Sequence, residues 1–213
     1  GITEIGKASW KLQGKEIPPE VLEGEMRSKA NSRPHVTFYD EKYDRLMTDR
    51  ANPERAKVQQ FFRTLAICHD VIAEKVDGEI KLSASNPDDE ALVCAADYFG
   101  FKFVDRRDKF IIITNKDTGE TEEVELLESI EFSSKRKRMS VIVRDTDGKI
   151  RVYIKGADTV SNDRLRKGQA SVSEATNRDM ARFSEEGLRC LLVGSMEIDE
   201  NFFHEWHIRY KAA

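Results

Sequence analysis

The most telling absence in this sequence is a long apolar run. Nowhere do its 213 residues approach the roughly 20 consecutive apolar positions that a membrane-crossing helix needs, so no segment reads as a span. The opening Gly1-Ile-Thr-Glu-Ile-Gly6 lacks the basic and apolar regions of a secretion signal, and there is no initiator Met. That start is expected of a segment from a longer chain. Cysteine is scarce: Cys68, Cys94 and Cys190 are odd in number, far apart, and free of Cys-x-x-Cys or histidine spacing. A disulfide frame and a zinc site are thereby set aside, and reduced cytosolic thiols are expected. An excess of basic charge is missing too. With 35 Lys and Arg against 39 Asp and Glu, the net charge of −4 argues against nucleic acid as a partner.

What is present reads as one globular domain with a polar surface, 39% hydrophobic and 35% charged, long enough to bury an ordinary core. Residues 1–50 are weakly patterned, with Pro18-Pro19 and Pro34, a short helical stretch at Glu20–Arg27 and a strand-like piece at Val36–Tyr39. They are expected to form a connector packed on a body comprising residues 51–213. From Asn52 the pattern sharpens. Asn52 caps, Pro53 suits the first turn, and Val58, Phe61, Phe62, Leu65, Cys68, His69 and Ile72 recur at helical spacing, predicting a buried helix that ends near Glu74. Asp77-Gly78 marks a turn before a strand with Ile80, Leu82 and Ala84. Asn86-Pro87-Asp88-Asp89 then opens a second helix that stops at Gly100.

Strands follow at Phe110–Thr114, Glu122–Leu127, Ile130–Ser133, Met139–Arg144 and Ile150–Ile154, with tight turns at Asp117-Thr118-Gly119 and Asp147-Gly148. Helices return at Ala157–Leu165 and Ser173–Glu186, then a strand at Leu191–Met196 and a helix from Asp199. Turns this short join antiparallel neighbours, so the class is α+β: a twisted antiparallel sheet flanked by helices.

Four segments, in order, resemble one family. Glu131-Phe-Ser-Ser-Lys-Arg-Lys-Arg-Met-Ser-Val-Ile-Val-Arg144 is similar to its E-F-[ST]-S-x-R-K-R-M-S-V-I-V-R. Lys155-Gly-Ala-Asp-Thr-Val160 is similar to K-G-A-D-[ST]-V, Gly187-Leu-Arg-Cys-Leu191 to G-L-R-T-L, and Asn86-Pro-Asp-Asp-Glu-Ala-Leu-Val93 to S-P-D-E-[GA]-A-L-V. Leu65-Ala-Ile-Cys-His69 and Glu205-Trp206 also fall where the family has a C-H and an E-W pair. The family is the nucleotide-binding domain of P-type ATPases, in its type IV form, the phospholipid flippases. The R-K-R-M-S form points to flippases over cation pumps. The family's fold, an antiparallel sheet flanked by helices, agrees with the reading of the elements above.

The resemblance implies an ATP site. Phe132 would stack on the adenine, a contact contributing about 1–3 kcal/mol, with Ser133 beside it to hydrogen-bond the nucleotide. Taken alone, a phenylalanine is more often a core residue, and a lysine such as Lys155 more often a solvated strand end. Within these segments Lys155 is expected to pair with phosphate, next to Gly156, which lets the backbone approach a ligand closely. Lys137 is a second cation, Met139 an apolar wall, and Arg189 resembles the arginine that reaches ribose and phosphate. Cys190 stands where flippases have Thr, which weakens any hydrogen bond made there. Asp89 aligns with the glutamate that reads the adenine amino edge, one methylene shorter. Glu90 is the alternative, but neighbouring helical residues point about 100° apart, and acids at this position also suit any helix N-terminus.

Two look-alikes carry other readings. Lys116-Asp-Thr-Gly-Glu-Thr121 superficially resembles the phosphorylation motif D-K-T-G-T and the dephosphorylation motif D-G-E-T but matches neither, and is expected to be a hairpin turn. Lys135-Arg-Lys-Arg138 is expected to be a turn and not a nucleic-acid patch. D-K-T-G-T and the magnesium-holding G-D-G-x-N-D are both absent. The expectation is therefore a monomeric fragment that binds ATP, with a Kd of about 0.1–1 mM, little dependence on magnesium and no hydrolysis of its own. In a parent protein it would work at the cytosolic face of a membrane with phosphorylation and actuator domains, membrane helices, Mg2+ and a phospholipid substrate; an accessory subunit is left open. Two rival readings stand beside it: a non-enzymatic interaction domain of the same fold with degraded nucleotide binding, and the nucleotide-binding domain of a cation pump.

Overall fold

The computed structural model describes residues 11–12, 15–16, 36, 40–76, 79–157 and 164–212. The helix expected at Glu20–Arg27 lies outside them, as do all but Val36 of the strand expected at Val36–Tyr39 and all but residues 157, 164 and 165 of the helix expected at Ala157–Leu165; those three are not α-helical. Two residue pairs, β1 (Lys11–Leu12) and β2 (Lys15–Glu16), pair antiparallel. Helix α1 (Glu41–Thr48) starts where the Asp40 carboxylate accepts the Lys42 and Tyr43 N–H groups. Helix α2 (Pro53–Ile67) starts as its sequence predicts, with Asn52 Oδ1 accepting the Glu54 N–H at 3.0 Å and Pro53 in the first turn.

Helix α2 stops seven residues earlier than the periodicity suggests, and the reason lies in His69. Its buried ring spans the helix end: Nε2 lies 2.9 Å from the Ala66 carbonyl, and Nδ1 accepts the Val71 N–H at 3.1 Å. A side chain that satisfies these backbone groups removes the need for another helical turn. Burial pushes the imidazole down to about 3, so it is neutral and fits the tautomer these two bonds require. The chain then turns into β3 (Ile72–Val76), which pairs with β4 (Glu79–Ser83). Helix α3 (Pro87–Tyr98) follows, capped by Asn86 Oδ1 on the Asp88 N–H.

The body is a six-stranded antiparallel sheet in the order β10-β9-β8-β7-β6-β5. Its strands are β5 (Phe101–Arg107), β6 (Phe110–Asn115), β7 (Thr121–Ile130), β8 (Arg138–Arg144), β9 (Ile150–Gly156) and β10 (Leu192–Ile198). Strand β5 was not expected from the sequence, because Asp105-Arg106-Arg107 interrupts its apolar alternation; at the sheet edge Arg107 reaches solvent and pairs with Asp105, while the Arg106 guanidinium turns in to the His69 carbonyl. The two pieces expected at 122–127 and 130–133 are one strand, β7, with a register shift between Leu126 and Glu128 opposite β8. Glu131–Ser133 have left the sheet. Helix α4 (Ala170–Glu185) precedes β10, and α5 (Glu200–Ala212) follows it.

Alternation assigns the two faces. Met139, Val141, Val143, Tyr153, Ile111, Ile113 and Val124 pack with α2 and α3, while Ile142 and Ile150 meet Phe203 of α5, backed by Trp206. Tyr43 of α1 joins the first face, with its ring 5.0 Å from Phe99. Residues 116–121 form the β6–β7 turn, where Asp117 accepts hydrogen bonds from Arg55 and Gln59 of α2.

Helix α2 is fastened to the β8–β9 turn by a buried charge cluster. The Asp145 carboxylate accepts from Arg63, Arg151 at 2.9 Å, the Tyr153 hydroxyl at 2.9 Å and the Thr146 N–H at 2.8 Å. Burial opposes ionisation of Asp145, but these donors, Arg63 foremost, outweigh it and hold the carboxyl below its ordinary range. Asp145→Asn leaves Arg63 short of its partner, and breaking a buried pair costs about 3–5 kcal/mol in denaturant unfolding. Because the folded carboxyl is the stronger acid, its contribution is complete above about pH 4 and is lost as pH falls through the folded value. The stability gap between wild type and Asp145→Asn should therefore narrow on acidification; a gap constant with pH contradicts the assignment.

Candidate functional site

The end of the sheet opposite that cluster gathers most of the residues singled out in the sequence. Strand pairing sets Lys155 opposite both Met139 of β8 and Val193 of β10, and Gly156 opposite Arg138 and Leu192. At Gly156 a Cβ would lie 2.5 Å from Arg138 Cβ and 2.6 Å from the Lys137 carbonyl oxygen, so no side chain fits there. That carbonyl accepts the Ala157 N–H at 3.0 Å, joining the turn to the strand end. Met139 is buried at 2% exposure and belongs to the core.

The turn over 131–137 is built by its own side chains. Ser133 Oγ accepts the Arg136 N–H at 3.2 Å, and the Ser133 carbonyl accepts the Lys137 N–H at 2.7 Å. The Arg136 guanidinium donates to the Ile130 and Glu131 carbonyls and props the segment from beneath. Lys137 takes a left-handed conformation, φ 53°, and its side chain is exposed. On this scaffold the Phe132 ring stands 54% exposed, with no ring partner among the described residues.

Asp88 and Asp89 at the start of α3 each hold one cation of the site. Asp89 Oδ1 lies 2.7 Å from Lys155 Nζ, and both side chains are buried. Asp88 receives Arg189 Nη1 at 2.8 Å on each of its oxygens, in a pair whose arginine is largely solvated. Lys155, which the sequence reading expected to pair with phosphate, is here enclosed and paired with a carboxylate. Burial raises the proton affinity of Asp89, opposed by Lys155 and reinforced by Asp70. Cys68, beneath this pair, is pushed up to about 12 by burial and is an inert thiol.

Other expected residues sit apart from that cluster. The Cys190 thiol turns towards the end of α4, 3.8 Å from the Met180 carbonyl and 3.7 Å from that of Leu188. Glu90 is half-buried on α3. Sequence reasoning missed Asp70, Asp88 as the Arg189 partner, and Arg136 as the support of the turn. Asp88 was visible only as a helix-start acid, since its partner lies 101 positions away. A concavity of about 1360 Å³ bounded by β9, β10, α4 and Arg63–Asp145–Arg151 lies elsewhere and includes none of the expected site residues. The described residues gather no group of three or more His, Cys, Asp or Glu that could hold a metal ion. What this end of the molecule offers is an exposed ring on a braced turn, a glycine packed closely under that turn, and two cations balanced by carboxylates.

Comparison with known proteins identifies the family. The family described as P-type ATPase, cytoplasmic domain N, matches residues 57–210. Phospholipid-transporting ATPase IC of Xenopus tropicalis is 40% identical over 180 residues, which is 84% of this chain and 14% of that protein. Phospholipid-transporting ATPase 10 of Arabidopsis thaliana is 37% identical across 100% of this chain and 18% of its own length, and Phospholipid-transporting ATPase ID of Homo sapiens is 43% identical over 69% and 12%. The chain belongs to the cytoplasmic N-domain family of P-type ATPases. It spans less than a fifth of the length of these relatives.

The two acids of α3 differ sharply in what their removal should do. Asp89→Ala strands a buried lysine and is expected to destabilise the fold by about 3 kcal/mol or more. Asp88→Ala only releases Arg189 to water and should leave the unfolding midpoint unchanged. Equal effects of the two in thermal or urea unfolding would contradict the burial assigned to Lys155.

Proposed function

We propose that this domain binds ATP at the sheet end built by Phe132, Lys155, Gly156 and Arg189, and that it serves in a phospholipid-transporting P-type ATPase. The observation that carries the reading is Phe132. A large aromatic ring standing half out of the surface, on a turn held rigid by Arg136 and Ser133, is unfavourable without a partner and well suited to stack on a base. Ser133 and Lys137 belong to the same turn as the ring, while Met139 is part of the core beneath the sheet end. Gly156 serves the site by letting the Lys137–Arg138 backbone close against the end of β9, which sets the turn that carries the ring.

The phosphates then meet Arg189. Its pair with Asp88 is exposed, so a polyphosphate exchanges one anionic partner for another at little cost. Lys155 is enclosed, and it acts through the field of the Lys155–Asp89 pair under the base and ribose instead of grasping a phosphate in the open. Asp89, oriented by Lys155, remains the carboxylate nearest in role to an adenine-edge reader. Lacking a phosphate-accepting aspartate motif, the domain presents ATP to a phosphorylation domain elsewhere in the parent protein, at the cytosolic face of a membrane. Magnesium ligands would come from that domain. The relatives' names supply the phospholipid as transported substrate.

One observation favours a second reading, an interaction domain that has lost nucleotide binding: both cations already have carboxylate partners within the chain. An ATP titration followed by amide shifts separates the two. Binding with a Kd of about 0.1–1 mM is expected, with shifts gathered at Phe132, Lys155 and Arg189. Phe132→Ala should weaken it by about five- to a hundredfold, the equivalent of about 1–3 kcal/mol of stacking, without lowering the melting temperature. No shifts at several millimolar ATP would decide for the interaction domain.

A further inference from the structure

The pair between Arg189 and Asp88 is the contact of this site that a ligand can most readily undo. The backbone before Arg189 is fixed. Helix α4 stops with the Gly187 N–H on the Ser184 carbonyl and the Leu188 N–H on the Phe183 carbonyl, each at 3.0 Å. Gly187 takes the left-handed φ of 79° that such a stop requires. Arg189 therefore leaves the helix end at a set point, and what can swing is its side chain. That side chain is 77% exposed, and Nη1 lies 2.8 Å from both oxygens of Asp88, the partner it has among the described residues.

Asp88 is equally able to let go. Its N–H is held by Asn86 Oδ1 at 3.1 Å, which seats the residue in the first turn of α3. There the unpaired N–H groups and the positive end of the helix dipole favour its carboxylate with or without an arginine. Asp89, one residue on, is different. Its partner Lys155 is buried with it, and separating that pair strands a charge out of water. Of Lys155 and Arg189, only Arg189 can exchange its carboxylate for another anion at small cost.

We propose that Asp88 is a positioning residue of the nucleotide site: it is a counter-anion carried by the chain itself, and it competes with phosphate for Arg189. This rests on the ATP reading above. Carboxylate and phosphate oxygens seek the same guanidinium N–H groups, and two anions on one guanidinium repel each other. The cost of breaking the exposed pair falls only on ligands whose phosphates reach Arg189. Adenosine, stacked on Phe132, leaves the pair in place. Asp88 thus weakens the hold on polyphosphates without touching recognition of the base, and it retakes Arg189 as the nucleotide leaves.

The experiment titrates ATP and adenosine, followed by amide shifts, into the wild-type chain, Asp88→Asn, Arg189→Ala and the double variant. Asp88→Asn should tighten ATP by about two- to fivefold, the scale of one exposed ion pair, and leave adenosine unchanged. In the Arg189→Ala background the same substitution should bring no gain. A gain that persists there is repulsion through space and overturns the proposal. So does a gain shared by adenosine, which would mean a reshaped site. The wild-type protein gives a reading that needs no variant: the Arg189 Nε resonance and the Asp88 carboxyl carbon should move together with ATP and stay in place with adenosine. An Asp88 carboxyl that ATP leaves unmoved overturns the competition. ATP binding that Asp88→Asn does not change sinks this inference alone. If neither the wild type nor Asp88→Asn binds ATP at several millimolar, the ATP reading fails and this one falls with it.

Discussion

The buried pair between Lys155 and Asp89 is the interaction on which this end of the molecule depends. An ammonium group taken out of water must be met by an opposite charge, and here the first turn of α3, seated against the end of β9, brings it. Once that turn is seated, its neighbour Asp88 faces Arg189, and the segment before β10 is drawn to the same place. One unavoidable pairing thus gathers three stretches of chain that are far apart in sequence.

The two ends of the sheet solve the burial of charge differently. At the Asp145 end, one carboxylate is surrounded by donors from α2, β9 and its own turn, and every oxygen is satisfied. Such a site is saturated and has nothing left to offer. At the Lys155 end the acids outnumber the enclosed cation and one oxygen lacks a donor. The first end is a closed network, and the second leaves one carboxylate oxygen without a donor among the described residues.

Much of this was legible in the residues themselves. The Asn52-Pro53 and Asn86-Pro87 starts are local events between near neighbours, and they appear in the structure where the sequence places them. The strand pairs around Asp147-Gly148 and Asp117-Thr118-Gly119 are legible for the same reason. The end of α2 was not, because it turns on the ring of His69 bonding to backbone groups, which periodicity does not register. Strand β5 hid behind charges that only its edge position makes harmless. At the site, the residue types were readable but their pairings were not. Nothing near Lys155 in sequence announces that Asp89, and behind it Asp70, will lie against it.

Strands β8 and β9 pair without a register shift from Arg138 opposite Gly156 to Arg144 opposite Ile150, while the irregularities of the sheet fall between β5 and β6 and between β7 and β8. Bulges are where a sheet bends. The hairpin that carries Asp145 at its turn and Lys155 near its open end is therefore stiff, anchored at one end and loaded at the other, and β10 pairs with it just as regularly. A push delivered at the open end by a docking neighbour would travel along its length as a tilt of the whole ribbon, and the give would come on the side of β7.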